Sequence, residues 1–458
     1  MSMGKRKRGR QQGLWIAATD IPTSPGHPFY RRLNKLLTDH GFDPFVEGLC
    51  QRFYAESVGR PSIAPGVYFR MLLIGYFEGI DSERGIIWRC ADSLGLREFL
   101  GFELSESTPD HSTLSVTRRR IDIETHQEIF GWVLKVVAQE GLLKGKTIGV
   151  DATTLEANAA LRSIVRRDTG EGYRQFLEGL AKASGIETPR REDLAKIDRD
   201  RPSKGSNGDW QHPGDPEAKI TKMKDGRTHL AHKAEHAVDL EMGAVVAVTL
   251  QAADKGDTTT LYETLEKAAE NLGELAGDAR TAACLHETIL EEVVADKGYH
   301  SNETLQSLAE LEIRSYVSEP ARGRRRWRGR EEEQAAVYGN RRRIRGRRGK
   351  ALLRRRGELV ERPFAHCYET GGMRRVHLRG RENIWKRLLV HVAGYNLGLV
   401  MRRLWGVGKP RGLQGLAGLI WSPISALMRR ASGLSWLLGL PEPQLADSRD
   451  LRQPAWAA

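Results

Sequence analysis

From residue 28 to residue 142 apolar side chains recur at three- and four-residue spacing, through "FYRRLNKLLTDHG", "PGVYFRMLLIGYFEGI", "SERGIIWRCADSLGLREFLG" and "TPDHSTLSVTRRRIDIETHQEIFGWVLKVVAQEG". That period predicts an all-α amino-terminal domain of amphipathic helices. Thr108, Pro109 and Asp110 read as a helix start: a capping hydroxyl, a ring already at helical φ and a carboxylate near the positive end of the dipole. The helix they open presents Arg118, Arg119 and Arg120, and a short helix pair ending this way has the form of a major-groove reader.

The pattern changes at "KTIGVDATTLEANAA". A short β-branched run ends in Asp151 and a Thr pair and reads as a strand. Residues 157–225 then lose hydrophobicity and fill with charge, Gly and Pro, which predicts an insertion with one helix near 171–184 and a long loop. Strands resume in "THLAHKAEHAVDL" and "GAVVAVTLQ", joined through "EMG" as a hairpin. A helix near 258–272, the buried strand "EEVVA", a helix from about Ser301 and the strand "IRSYVS" follow. Strand, hairpin, helix, strand, helix, strand describes an α/β fold whose mixed sheet carries an antiparallel portion and crossover helices. Beyond it "RENIWKRLLVHVAGYNLGLVMRRLW" is a helix with a wide apolar face.

Composition narrows the function. A chain of 458 residues, 40% hydrophobic, is long enough for more than one packed unit. Its net charge of +13 points to a polyanionic partner. The charge is concentrated: residues 321–356 hold fifteen Arg, one Lys and three Glu, a net charge equal to that of the whole chain. Such a run is expected to be a mobile arm that grips phosphates, with Trp327 and Tyr338 as stacking surfaces. Cys50, Cys90, Cys284 and Cys367 lie far apart without a CxxC pair, which argues against disulfides and thiolate zinc and fits a reducing cytoplasm. The basic start "MSMGKRKRGRQQGLW" lacks the apolar stretch of a signal peptide, and no uncharged run is long enough to span a bilayer. A soluble cytoplasmic protein is expected.

Three acids invite chemistry. Asp296 follows the strand "EEVVA", and Asp151 follows "TIGV"; strand ends of open α/β sheets are where ligands gather. Gly298 is expected to turn the chain away beside Asp296. Glu361, in "RRRGELVERPFAHCYETGGMRRVHLRG", lies among Arg354, Arg355, Arg356, Arg374, Arg375, Arg379 and Arg381. Hard carboxylate oxygens with basic groups nearby suit a divalent cation acting on phosphate. His229, His232 and His236 suggest zinc only weakly, because on a strand His229 points away from the other two and no thiolate joins them.

These residues carry a resemblance. "GVDATTLEAN", "DPEAKITKMKDGRTHLAHKAEHAVDLEMGAVVAVTLQAADKGDT", "VVADKGYHSNETL" and "ERPFAHCYETGGMRRVHLRGRENIWKRLLVHVAGYNLGLVMR" resemble successive blocks of bacterial insertion-sequence transposases of the DDE type, the IS4/IS5-like superfamily. The helical region resembles that family's amino-terminal domain. The resemblance covers roughly residues 30–405. It implies a basic tail at 1–27, a helical DNA-binding domain at 28–142, an RNase H-like catalytic domain at 143–405 and a tail at 406–458. It further implies Asp151, Asp296 and Glu361 as catalytic ligands of two Mg²⁺ (or Mn²⁺) about 3.5–4 Å apart.

The reaction implied is hydrolysis at each end of a mobile element, followed by attack of the freed 3′-hydroxyl on a target strand. The implied partners are the terminal inverted repeats and target DNA, bound by a homodimer or larger synaptic complex in the bacterial cytoplasm near the nucleoid. Lys297 and Tyr299 are expected to face the DNA backbone. In the family a Tyr and an Arg shortly before the Glu, and a Lys seven positions after it, contact DNA; here those outer positions hold Arg354 and Tyr368. The signature is only partly kept, and Arg356, Arg374 and Arg375 are placed to take over the role. Two alternatives use the same residues: an RNase H-like nuclease or resolvase without strand transfer, and a DNA-binding regulator without catalysis.

Overall fold

The computed structural model describes residues 26–413 apart from 56–61, 202–204, 224, 322 and 324. The basic tail up to residue 25 and the carboxy-terminal tail beyond residue 413 lie outside the described residues, as do Arg322 and Arg324 of the Arg-rich segment.

The described chain opens with α1 (Pro28–Asp39), α2 (Phe42–Cys50), α3 (Pro65–Glu78), α4 (Glu83–Asp92), α5 (Leu94–Leu100), α6 (His111–Arg120) and α7 (Ile123–Gln139). Local chemistry sets their ends. Asp122 caps α7 by accepting the Thr125 N–H at 2.8 Å, and Asp110 caps α6 by accepting the Ser112 N–H at 2.9 Å. Asp110, not Thr108, is therefore the cap of α6, and Pro109 stands before the helix. From Tyr68 to Phe77 every residue of α3 is buried, the mark of a helix enclosed on all sides; α2, α4, α5 and the long helix of residues 381–405 all pack on it.

The sheet begins with β1 (Thr147–Glu156). The insertion follows as β2 (Val165–Arg166), α8 (Tyr173–Ala183), α9 (Arg191–Asp200), β3 (Trp210–Gln211) and β4 (Lys219–Lys222). It has one helix more than the sequence pattern indicated. A small cluster of Ala157, Ile164, Trp210, Ala218 and Leu230 holds it together, and Tyr173 donates its hydroxyl to Asp198 at 2.6 Å, tying α8 to α9. The expected elements then appear: the hairpin β5 (Thr228–Asp239) and β6 (Val245–Ala252), α10 (Asp257–Gly277), β7 (Glu292–Ala295), α11 (Asn302–Glu310) and β8 (Arg314–Val317).

The main sheet runs β4-β5-β1-β7-β8, with β6 also paired to β5. Strands β4, β5, β6 and β1 pair antiparallel, while β1, β7 and β8 pair parallel. β1 keeps β5 beside it from Ile148 to Glu156 but keeps β7 only from Thr147 to Gly149. β7 ends at Ala295, one residue after its last pairing with β1, while β1 runs on to Glu156. Asp151 thus lies inside β1, not at its end, two residues beyond the pairing with β7.

The Arg-rich segment folds. It forms α12 (Glu331–Arg345) and the start of α13 (Arg347–Phe364). Glu331, Glu332 and Glu333 sit in the first turn of α12 and Arg342, Arg343 and Arg345 in its last, an arrangement that matches the helix dipole at both ends. Arg341 grips Glu319 with two bonds of 2.7 and 2.8 Å. Arg343 donates to the Ser315 carbonyl at 2.8 Å, and Arg348 to Glu292 at 2.6 Å. The mobile arm expected from charge alone is corrected: internal acids and carbonyls take up several of its cations.

α14 (Arg381–Trp405) joins the helices to the sheet. On one side Asn396 exchanges two bonds with the backbone of Val245, at 3.0 and 2.8 Å. On the other it passes so close to α3 that a Cβ on Gly394 would stand 2.5 Å from the Tyr76 ring. One contiguous apolar core runs from Phe29 through the sheet to Val407. No helix among the described residues is long and apolar enough to cross a membrane.

Two outcomes are expected. A Cβ on Gly149 would stand 2.6 Å from Leu240 and 2.9 Å from Val360, so Gly149→Ala should lower stability by about 1–3 kcal/mol through overpacking, read from urea unfolding; an unchanged midpoint would refute this packing. Burial lowers the pKa of His126 to about 3, below its ordinary 6.5. As pH falls from 6.5 toward 3 the unfolded chain takes up a proton that the native protein refuses. The contribution of neutral His126 should then decline by about 1.4 kcal/mol per pH unit. The stability gap between wild type and His126→Phe should narrow on acidification across that window, and a gap independent of pH would sink the assignment.

Candidate active site

β1 and β7 set two of the three candidate acids. Their parallel register pairs Thr147 with Glu292 and Gly149 with Val294; carried on by two residues, it brings Asp296 level with Asp151. The two acids thus lie at the same end of neighbouring parallel strands. Asp296 accepts the Gly298 N–H at 2.7 Å on its Oδ1, which fixes its carboxylate in an Asx turn over the short helix Lys297–Tyr299. Gly298 is not among the glycines with positive φ. Its Cβ would instead stand 2.3 Å from Asp257 Oδ2 and 3.0 Å from Asp296 Oδ1. Glycine is needed there for room between two carboxylates, a correction of the expected backbone role.

α13 supplies the third acid. It seats Val360 against Gly149 and Phe364 against the His236 ring, with 4.8 Å between ring centres. His236 is the direct cross-strand partner of Asp151. One turn before Val360, Arg356 bonds Asp151 Oδ2 at 2.8 Å, with only 12% of the arginine side chain and 23% of the aspartate side chain exposed. Glu361 follows Val360 and is solvent-exposed. After Pro363, which has no N–H to close the helical ladder, the chain widens into a π turn over Ala365–Glu369. Such turns occur mostly as single-turn bulges, frequently at functional sites.

Hard carboxylate oxygens that already attract a guanidinium at Asp151 suit a divalent cation in donor type and charge. Among the described residues, however, no group of three or more His, Cys, Asp or Glu stands close enough to hold a metal ion. Asp151 and Asp296 lie at the same end of neighbouring strands, and Glu361 is on α13, which packs on β1. The three histidines divide as their chemistry requires. Buried His232 lies 3.0 Å from buried Asp215, His229 lies 3.1 Å from Asp225, and His236 meets the Tyr368 hydroxyl at 2.5 Å. Burial lowers the pKa of His236 to about 3, so it is a neutral core residue.

Several expected DNA contacts are turned inward. Tyr299 is fully buried and donates its hydroxyl to Glu235 at 2.8 Å. Tyr368 is fully buried against His236. Arg118 is buried, ion-paired to Glu83 and bonded to Asn383 at 3.2 Å, so it holds α6 to α4 and α14. These three are corrected from surface contacts to packing. Arg120 lies over the Tyr54 ring at 4.9 Å, yet both it and Arg119 are exposed.

Lys297, next to Asp296, and Arg354, Arg355 and Arg362 of α13 are exposed, as are Arg375 and Arg379, which lie against Glu156 and Asn158 farther along the chain from Asp151. Arg355 also donates to the Glu241 carbonyl at 2.5 Å. Arg374 is half-buried, bonded to Thr153 at 3.0 Å and to Glu369 at 2.5 Å. Trp327 is partly buried against the core with Arg325 over its ring at 5.6 Å. Lys233, Glu235 and Asp257, which the charge pattern alone does not single out, stand beside the turn that carries Asp296. The available signal was the pair Lys233 and Glu235 in "HLAHKAEHAVDL", two charges on one face of a strand otherwise fit for burial.

Residues 19–120 match the model of a transposase domain (DUF772), and residues 207–397 match that of a transposase DDE domain. Asp296 and Glu361 fall inside the second match, and Asp151 lies between the two. No curated protein matches the chain. The sheet, the helices around it and the two matched regions agree with an RNase H-like DDE domain behind a helical region, and the chain belongs to the DDE transposases.

Proposed function

We propose that this protein is a DNA transposase that cleaves phosphodiester bonds at the ends of an insertion sequence and joins the freed 3′-hydroxyl ends to target DNA. The observation that supports the reading is that Asp151 and Asp296 lie at the same end of the neighbouring strands β1 and β7, beneath the helix whose Arg356 pairs with Asp151. Asp151, Asp296 and Glu361 would hold Mg²⁺ or Mn²⁺, which when bound supplies charge to polarise a phosphate and acidify an attacking water.

The chain's own residues do the rest. Arg356 neutralises Asp151 in the resting protein and is placed to exchange that carboxylate for a phosphate oxygen, where a planar guanidinium binds well. Arg354, Arg375, Arg379 and Lys297, all exposed, bind DNA through its backbone. The helical region 28–142 would recognise the terminal repeats, with Arg119 and Arg120 as its exposed basic pair. Affinity from such contacts falls steeply with salt. Two ends must meet for joining, so a homodimer or larger assembly belongs to this reading.

Purified protein with Mg²⁺, labelled element ends and a target plasmid should nick and join. Asp151→Asn, Asp296→Asn and Glu361→Gln should each lose roughly a hundredfold or more of that activity while still retaining the DNA; undiminished cleavage by any one of them removes that residue from the site. Arg356→Gln should lower stability without metal by about 1–2 kcal/mol, because half-buried Asp151 loses its counter-charge. Saturating Mn²⁺ should restore most of that loss in thermal melting. A deficit that Mn²⁺ leaves untouched would separate Arg356 from the cation site.

A further inference from the structure

β5 carries Glu235 with no exposed surface at all, opposite Ala152 of β1. A carboxylate in that position costs free energy unless every oxygen finds a donor, and here three hydroxyls converge on it. Thr260 donates at 2.8 Å and Thr264 at 2.5 Å from α10. Tyr299, three residues beyond Asp296, donates at 2.8 Å. Two residues earlier on the same strand face, Lys233 donates to Thr260 at 2.9 Å and to Asp257 at 2.6 Å. Asp257 in turn reaches the place where Gly298 lacks a Cβ. The turn that carries Asp296 is therefore held by β7 before it, by the Tyr299 hydroxyl behind it and by Asp257 at its side.

We infer that Glu235 is a positioning residue of the cleavage site, acting through Tyr299 to fix the Asp296 carboxylate for its cation. The inference rests on the metal-dependent reading given above. The thread from Glu235 to Asp296 is short: the Tyr299 ring, then one turn of backbone closed by the Tyr299 N–H to the Asp296 carbonyl at 3.3 Å. A ligand on a turn so anchored has one orientation; with the anchor cut, only the Asx bond to Gly298 and the end of β7 still constrain it. Groups behind a ligand typically contribute 10–100-fold to metal affinity. A purely architectural Glu235 would also join β5 to α10, but that task needs only the two threonines and makes no use of Tyr299.

The full chain decides between these roles, as wild type, Tyr299→Phe, Glu235→Gln, the double variant and Asp296→Asn. Mn²⁺ binding is titrated calorimetrically in the absence of DNA, alongside thermal melting and DNA retention. Tyr299→Phe keeps the ring and removes only the hydroxyl, so it should fold and bind DNA as the wild type does while binding Mn²⁺ roughly tenfold more weakly. Glu235→Gln should weaken Mn²⁺ at least as much, and adding Tyr299→Phe to it should bring no further loss, because both act along one path. If Glu235→Gln does not fold, Tyr299→Phe alone settles the matter. Wild-type Mn²⁺ affinity in Tyr299→Phe, or losses that multiply in the double variant, would overturn the inference. Equal Mn²⁺ binding by wild type and Asp296→Asn would instead remove Asp296 from the cation site, and the inference would fall with the reading beneath it.

Discussion

The seat of α13 on the sheet is the constraint on which the site depends. Gly149 leaves a notch in β1 that Val360 fills, and a Cβ there would meet both Val360 and Leu240 closer than any side chain allows. With that contact fixed, the 3.6-residue period does the rest. Arg356 comes over Asp151 one turn earlier and Phe364 over His236 one turn later, while Glu361, next to Val360, is left exposed. A glycine and a valine, neither with any chemistry of its own, thereby determine which charged groups meet.

Charge is divided between inner and outer roles. Arg341, Arg343 and Arg348 are tied to Glu319, the Ser315 carbonyl and Glu292. Burial alone would raise the pKa of Glu292, but Arg348 and Thr147 outweigh it and hold it below the usual range. These cations build the platform under α12 and α13. Others in the same run, such as Arg342, Arg345, Arg347 and Arg354, stand exposed. A segment of extreme charge can be well folded when its neighbours carry the matching acids, and the excess left on its outer face is what a phosphate backbone meets.

The sequence made the order of elements legible, because hydrophobic period and β-branched runs report local geometry directly. It singled out Asp151 and Asp296 because each follows a short β-branched run, although Asp151 lies inside β1 and only Asp296 directly follows its strand. Burial was harder to read. Tyr299 and Tyr368 stand beside acidic and basic residues and so suggested DNA contacts, yet their hydroxyls are taken by Glu235 and His236 from a strand distant in sequence. Arg118 is one member of a basic row in the sequence, but Glu83, on another helix, holds it inward. Gly298 looked like a turn residue, and its true demand, space for Asp257, exists only once α10 packs beside β7. In each case the partner lies far along the chain and the deciding quantity is distance in space.

The same non-local logic links the two matched regions. α14, within the DDE match, bonds to β6 through Asn396 on one side and packs against Tyr76 of α3 on the other. Lys386 donates to the Arg118 carbonyl at 3.2 Å and Arg387 to the Ile80 carbonyl at 3.0 Å, so buried cations of α14 stitch α6 and the end of α3 to the sheet. On the proposed function, the helices that would recognise an element end and the strands that carry the acids share one close-packed core. Close packing transmits position with little slack, and holding a bound phosphodiester in register with the catalytic groups is a large part of what phosphoryl transfer asks of a protein.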